Sequence, residues 1–165
     1  MTLLWDKTSG EIASMGNSLG KPIIGQLASG AWFAMIGNGP NSPGDGAGLV
    51  LIGLTSGVVT EISTGSAGSN GLSGILAWSS ANNSIVDRIY AGDLKGNMWR
   101  FSMAGTVATV TKLFTASFGS QLQPITAAPA AAKDPSTGST WVFLVLESTC
   151  QMEICRIKMC RRGTD

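Results

Sequence analysis

DRIYAGDLKGNMWRF, residues 87–101, is the stretch whose reading decides the fold. Ile89 and Tyr90 favour a strand, and Gly92, Asp93 and Gly96 favour a turn. Beyond the turn Met98, Trp99 and Phe101 resume an apolar strand around Arg100. The stretch is therefore predicted to be a β-hairpin with a loop of about four to five residues and an aromatic return strand.

The surrounding chain agrees with a sheet. Its 165 residues are enough for one domain with a core, and 22 glycines, 44% hydrophobic and 13% charged residues come without any apolar run sustained at helical spacing. The fold class expected is all-β. Formal net charge is +1, and most of the basic excess sits in residues 155–165, which leaves no basic face for a nucleic-acid backbone. The longest apolar run, residues 49–59, is interrupted by Gly53, Thr55, Ser56 and Gly57 and is too short to span a bilayer. The opening MTLLWDKTSGEI has neither the basic start nor the apolar stretch of a signal peptide. It reads instead as the middle of a repeat, a strand over residues 2–5 leading into Glu11 and Ile12, so the chain is expected to begin inside a domain.

Three times the chain runs through the same order: apolar strand, polar loop, second strand, turn. The passes are KPIIGQL to AWFAMIGNG (21–39), LSGILAW through the loop 79–86 to the hairpin, and QPITAAPAAA through 133–139 to TWVF (123–143). Gly37 and Gly92 are 55 residues apart and Trp32 and Trp141 are 109 apart, about twice that spacing. Further strands are expected at 48–53, 58–62 and 106–114. A period of this length built from short strands is the signature of propeller blades. The expectation is about three blades of four-stranded antiparallel sheet over residues 1–143, incomplete and not closed, because propellers need roughly four to eight blades. Trp32, Trp78, Trp99 and Trp141, at matched places, are expected to pack between blades.

Motifs that carry chemistry are sparse. Gly16-Asn17-Ser18-Leu19-Gly20 has the G-x-S-x-G form, but Lys21-Pro22 stands where a helix should start and the chain has no histidine to act as base. The glycines at 37, 39, 44, 46 and 48 lack the following helix of a phosphate cradle. Cys150, Cys155 and Cys160 are odd in number and fit neither a zinc spacing nor a closed disulfide set. SSANNSIVD, residues 79–87, has the outline of a calcium loop, with oxygen-bearing side chains at alternate positions and Asp87 as its one charge.

LGKPIIGQL, AWFAMIGNG, DRIYAGDLKGNMWRF and QPITAAPA, in that order, resemble the C-terminal β-propeller of the type IV pilus biogenesis and tip-adhesin family, the PilY or PilC type, over residues 4–143. The resemblance implies a fragment of a pilus assembly and adhesion protein, a binding or assembly module and not an enzyme. The implied parent lies at the cell surface, in the outer membrane or at the pilus tip, and contacts pilins, minor pilins and host or abiotic surfaces. In that family the loop before the hairpin binds calcium. Carried over by position, Asp87 matches the last ligand, and Ser79, Ala81 and Asn83 stand where the family has acidic residues or Asn. The metal candidates are thus Asp87, Asn83 and Ser79, a degenerate set in which calcium control is expected to be lost, and no other cofactor is implied.

Two alternatives have distinct requirements. A quinoprotein-type propeller dehydrogenase would bind pyrroloquinoline quinone and calcium through converging acidic and cationic groups, a set this chain does not show. A generic WD-repeat scaffold would carry Gly-His and Trp-Asp punctuation, which is missing. Residues 144–165 depart from the family, whose TWVF strand continues Phe-Gly-x-Gly-x-Tyr-Leu. If Phe143 and Leu144 are encoded TTT TTG and one T has been lost, restoring it turns residue 144 onward into Phe-Gly-Ala-Gly-Lys-Tyr-Leu. The tail is therefore expected to be out of frame. Sequencing the gene checks this: every codon from 143 onward should permit the restored reading, and a single incompatible codon excludes it.

Overall fold

The computed structural model describes residues 3–8, 10–18, 20–81, 83–103 and 108–146, together with the backbone of 158–161. All of its regular structure is β. The first sheet takes β1 (Ile23–Gln26), β2 (Trp32–Gly37), β3 (Gly48–Gly53) and β4 (Val59–Ser63) in chain order, every neighbour antiparallel. The second repeats the arrangement with β5 (Leu72–Trp78), β6 (Arg88–Asp93), β7 (Asn97–Ser102) and β8 (Thr109–Thr115). A small ribbon of β9 (Ser117–Phe118) and β10 (Gln121–Leu122) stands in the crossing to a third sheet. That sheet is three-stranded among the described residues: β11 (Ala130–Lys133), β12 (Thr140–Leu144) and β13 (Lys158–Arg161). Among the described residues no sheet closes into a barrel.

The sheets stack face to face, and strand alternation sets what lies between them. From the first sheet Met35, Leu49 and Leu51 meet Ile89, Ala91, Trp99 and Phe101 of the second. On the far side of the second sheet Met98 packs with Ala116, Ile125, Leu144 and Leu146. All six residues of β3 are buried, because Val50 and Ile52 on its other face are covered by Trp5, Ile12 and Met15. A central blade strand is thus apolar on both faces, unlike the alternating strand of a one-sided sheet.

Close approach at the leading strands selects small residues. A Cβ on Gly20 would lie 3.2 Å from Gly74 Cα, and one on Gly74 would lie 2.9 Å from Ala128 N, so positions 54 residues apart touch in series. At the ends of the second strands a Cβ on Gly37 would come within 2.6 Å of Leu72 O, and one on Gly92 would sit against Ile125 Cγ2 and 2.9 Å from Ile125 O. Leu72 begins the second sheet, and Ile125 lies in the segment that leads to the third.

The hairpin forms as predicted but with a tighter connection. Gly92 pairs with Met98, and only residues 94–96 lie between β6 and β7. Gly96 takes φ +76, the left-handed residue of a three-residue hairpin loop, and its N–H donates to Asp93 O at 3.0 Å.

Three other expectations need correction. Residues 3–8 form no strand; Trp5 instead lies under the first sheet with Nε1 donating to Leu54 O at 2.8 Å. The strand expected over 123–132 shrinks to Ala130–Lys133, since Pro124 and Pro129 have no N–H to donate and Ile125 N bonds Asp93 O across the interface at 3.0 Å. Trp32 is 47% exposed at the sheet rim, whereas Trp99 is 7% exposed within the stack. The expected start of the strand at Thr106 lies outside the described residues, and β8 runs from Thr109.

Gly92→Ala is expected to cost roughly 1 to 3 kcal/mol, the usual range for overpacking a filled contact. Gly44→Ala, with nothing within 4 Å of its added Cβ, serves as control and should stay within about 0.5 kcal/mol of the parent. Urea unfolding of the two variants measures the difference.

Candidate functional site

The turns joining the first two strands of each sheet, 27–31, 79–87 and 134–139, emerge from one rim of the stack. They touch one another. Val86 N donates to Gln26 O at 2.8 Å beside a parallel bridge between Gln26 and Ile85, and Lys133 Nζ reaches Ser80 O at 3.5 Å. Met103 N donates to Asp87 O at 2.8 Å, tying the loop to the end of β7. A cleft of about 710 Å³ opens beside them between the first two sheets, lined by Leu27, Phe33, Leu51, Ile62, Met103 and Ala108.

Within the loop 79–87 the three metal candidates are engaged in hydrogen bonds inside the loop. Ser79 Oγ donates to Asn83 Oδ1 at 2.8 Å and accepts from Asn83 N at 3.2 Å, and Ile85 N donates to the same Asn83 oxygen at 3.0 Å. Asp87 turns away from this pair. Its Oδ1 accepts from Ser80 N at 2.9 Å and its Oδ2 accepts from Ser80 Oγ. Ser79 and Asn83 therefore meet, while Asp87 closes the loop through Ser80, a residue the sequence pattern passed over.

Calcium takes about six to eight oxygen ligands, usually with several carboxylates. Here one carboxylate is present, both its oxygens hold Ser80, Ala81 offers no side-chain oxygen, and a lysine ammonium stands next to the loop. These residues do not fit a calcium cage. Among the described residues no group of three or more His, Cys, Asp or Glu is placed to hold a metal ion. Of the three cysteines, only the backbone of Cys160 falls among the described residues.

The neighbouring turn carries a second carboxylate. Asp134 Oδ1 accepts from Ser136 N at 2.8 Å, Ser136 Oγ at 2.7 Å and Thr137 N at 3.3 Å, while Oδ2 accepts from Trp141 Nε1 at 3.3 Å. The Ser136 hydroxyl and N–H hold its carboxyl well below the usual carboxylate range. The Asp-Pro-Ser-Thr-Gly order of residues 134–138 was the available signal, that of an Asx turn.

A third carboxylate is buried at the opposite rim. Asp93 is 0% exposed and accepts from Lys95 N at 2.9 Å, Asn97 N at 2.8 Å, Asn97 Nδ2 at 2.9 Å, Asn70 Nδ2 at 3.0 Å and Trp99 Nε1 at 2.8 Å. Asn38, the residue after Gly37, does the same work in the first sheet. Its Oδ1 accepts from Gly48 N at 3.0 Å and Leu72 N at 2.9 Å, and its Nδ2 donates to Ser14 O at 2.9 Å and Gly46 O at 2.8 Å. The hydrogen bonds of both groups run to turn and crossing residues, so both side chains serve to lock turns.

Known proteins share this architecture. Residues 6–145 match the family model described as the PilY1 beta-propeller domain. A type IV pilus biogenesis factor PilY1 homolog of Xylella fastidiosa is 46% identical over 141 residues, covering 86% of this chain and 12% of that protein. The type IV pilus biogenesis factor PilY1 of Pseudomonas aeruginosa is 33% identical over 161 residues, covering 81% of this chain and 14% of that protein. The crystal structure of the P. aeruginosa PilY1 C-terminal domain superposes with a TM-score of 0.80 at 27% identity, over 88% of this chain and 35% of that one. The chain thus spans about an eighth of the length of the curated relatives it matches. With two blades in matching order, a third begun, and a family match running through all three, this chain belongs to the PilY1 β-propeller family.

Proposed function

We propose that the chain is a fragment of the propeller of a type IV pilus assembly and adhesion protein and acts as a binding or assembly module without catalysis. The likeness to the PilY1 C-terminal domain across 88% of the chain carries this reading. The proposed partners of the full-length parent are pilins, minor pilins and host or abiotic surfaces, and its proposed place is the outer membrane or pilus tip. Non-catalytic action is supported by how the carboxylates are used: Asp87 closes a loop, Asp134 orders a turn and Asp93 is sealed in the stack.

Residues 144–165 are read as an out-of-frame tail. The family match stops at residue 145, one residue past the point where the restored frame departs from the present one. Leu144 nevertheless completes β12, and Leu146 is buried beyond it, so the first residues of the tail are accommodated by the sheet.

Calcium control is read as lost, its place taken by the Asp87–Ser80 hydrogen bonds. Calorimetric titration with calcium is expected to give only heat of dilution and no rise in melting temperature; saturable heat would sink this reading. Ser80→Ala should lower stability by about 0.5 to 1.5 kcal/mol, the usual value of a lost hydrogen bond. For the whole protein, deleting the gene that encodes the full-length parent should reduce surface pili and adhesion. Normal piliation with loss of a quinone-dependent dehydrogenase activity would favour the enzyme alternative instead.

A further inference from the structure

The first two sheets end in outer strands that are finished differently. In β8 the register slips where Met98 pairs with Phe114 and Trp99 with Lys112, so Leu113 is a bulge, and Lys112 stands beside it. Bulges and lysines are common guards of a free sheet edge. β4 carries neither: its five residues, VTEIS, pair with β3 without a slip.

The backbone of this unguarded edge follows a fixed alternation. Gly53 N donates to Val58 O at 2.9 Å and Thr64 N donates to Ala47 O at 3.0 Å, so Val58, Thr60, Ile62 and Thr64 turn their N–H and C=O groups toward β3. Those of Val59, Glu61 and Ser63 point off the sheet, where no backbone group among the described residues bonds them. Side chains alternate as well. Ile62 packs into the core between the first two sheets, on the face that Thr60 shares. On the other face Val59 packs with Trp5 and Met15, and Glu61 Oε2 accepts from Ser14 N at 2.9 Å.

A cavity lies on each face of this one strand. The cleft of about 710 Å³ is bounded by Leu27, Phe33, Leu51, Thr60, Ile62 and Met103. A second cavity, of about 300 Å³, opens on the opposite face beside Ser14, Ser42, Gly46 and Glu61. Glu61 is the one charged side chain lining either.

We infer that β4 is a strand-addition site for an extended segment of another protein, with apolar residues at every second position and a basic residue between them. The occupant follows from the site. An extended strand can pair with the outward N–H and C=O groups of Val59, Glu61 and Ser63 while sending successive side chains to opposite faces. Its apolar set enters the larger cleft, and its basic residue meets Glu61 on the other face. A second copy of this chain fits less well. Pairing all five residues of two β4 strands antiparallel sets Glu61 against Glu61, and like charges directly opposite are destabilising. The inference is independent of the pilus reading, because it rests on the edge and its two cavities.

The test uses the full 165-residue chain and the synthetic nonapeptide Ser-Val-Ser-Leu-Lys-Leu-Ser-Val-Ser. One control peptide has the same composition with its apolar residues grouped together, and another has Glu in place of Lys. Fluorescence anisotropy is expected to show the alternating peptide binding at least about tenfold more tightly than the grouped one. Hydrogen exchange should slow at the amides of Val59, Glu61 and Ser63 and stay unchanged along β8. Glu61→Gln should abolish the preference for Lys over Glu. Thr60→Lys, a guard set at an exposed position on the cleft face, should weaken binding at least about fivefold. Far-UV circular dichroism confirms that both variants keep the fold. Equal binding of the alternating and grouped peptides, whether both bind or neither does, overturns the inference. Protection along β8 overturns it too, as does protection of Val59, Glu61 and Ser63 that rises with protein concentration in the absence of peptide, which would make a second copy the occupant.

Discussion

A carboxylate with no exposed surface and no cation among its hydrogen-bond donors is the constraint on which the second blade depends. An isolated buried charge is costly unless hydrogen bonds replace its water, and Asp93 recovers them from five N–H groups. Three come from Lys95 and Asn97 in the turn that follows it, which Gly96 makes possible by taking a left-handed conformation. One comes from the indole of Trp99, which fixes that ring between the first and second sheets. Another comes from Asn70 in the crossing from the first blade. Turn, aromatic core and blade connection are thus coupled through a single side chain, and Asn38 repeats the device with an amide.

Stacking sheets face to face then limits what can stand at the contacts. Sheets that converge leave no room for side chains where their leading strands meet, hence the series Gly20, Gly74 and Ala128 and the glycines that close each second strand. Further out the gap widens and holds Met35, Leu51, Phe101 and Met98. A stack of this kind places its variable turns at the rims and keeps its rigid core for support, the arrangement by which loops carry recognition. The loop 79–87 and the turn at Asp134 share one rim, with the apolar cleft opening near it.

Much of this could be read in the chain. Ile89, Tyr90, Trp99 and Phe101 on either side of Gly92-Asp93 specify a hairpin locally, because strand preference and turn chemistry act within a few residues. The 55-residue return of glycine and tryptophan disclosed the repeat. Other features were hidden because they depend on distant groups. Trp5 reads as a strand residue but lies under the first sheet, tied to Leu54, 49 positions away. Ile125 reads as strand too, yet its N–H is claimed by Asp93 of the preceding blade while the flanking prolines break the ladder. Ser79, Asn83 and Asp87 have the spacing of a ligand set, and Ser80, which lacks that spacing, takes both oxygens of the carboxylate.

By itself the sequence determined the all-β class, the hairpin, the order of strands within each blade and the family, since each follows from residue preference, short-range turns or a recurring pattern. Tertiary structure decided which glycines are obligatory, which tryptophan is buried and what the acidic side chains do. Those outcomes depend on the distance between sheets and on which donors arrive from another blade, and neither quantity is present in any local run of residues. The opening hairpin shows both sides: its strands were legible from residues 87–101 alone, but the role of Asp93 as the lock between blades appears only when Asn70 and Ile125 come to meet it.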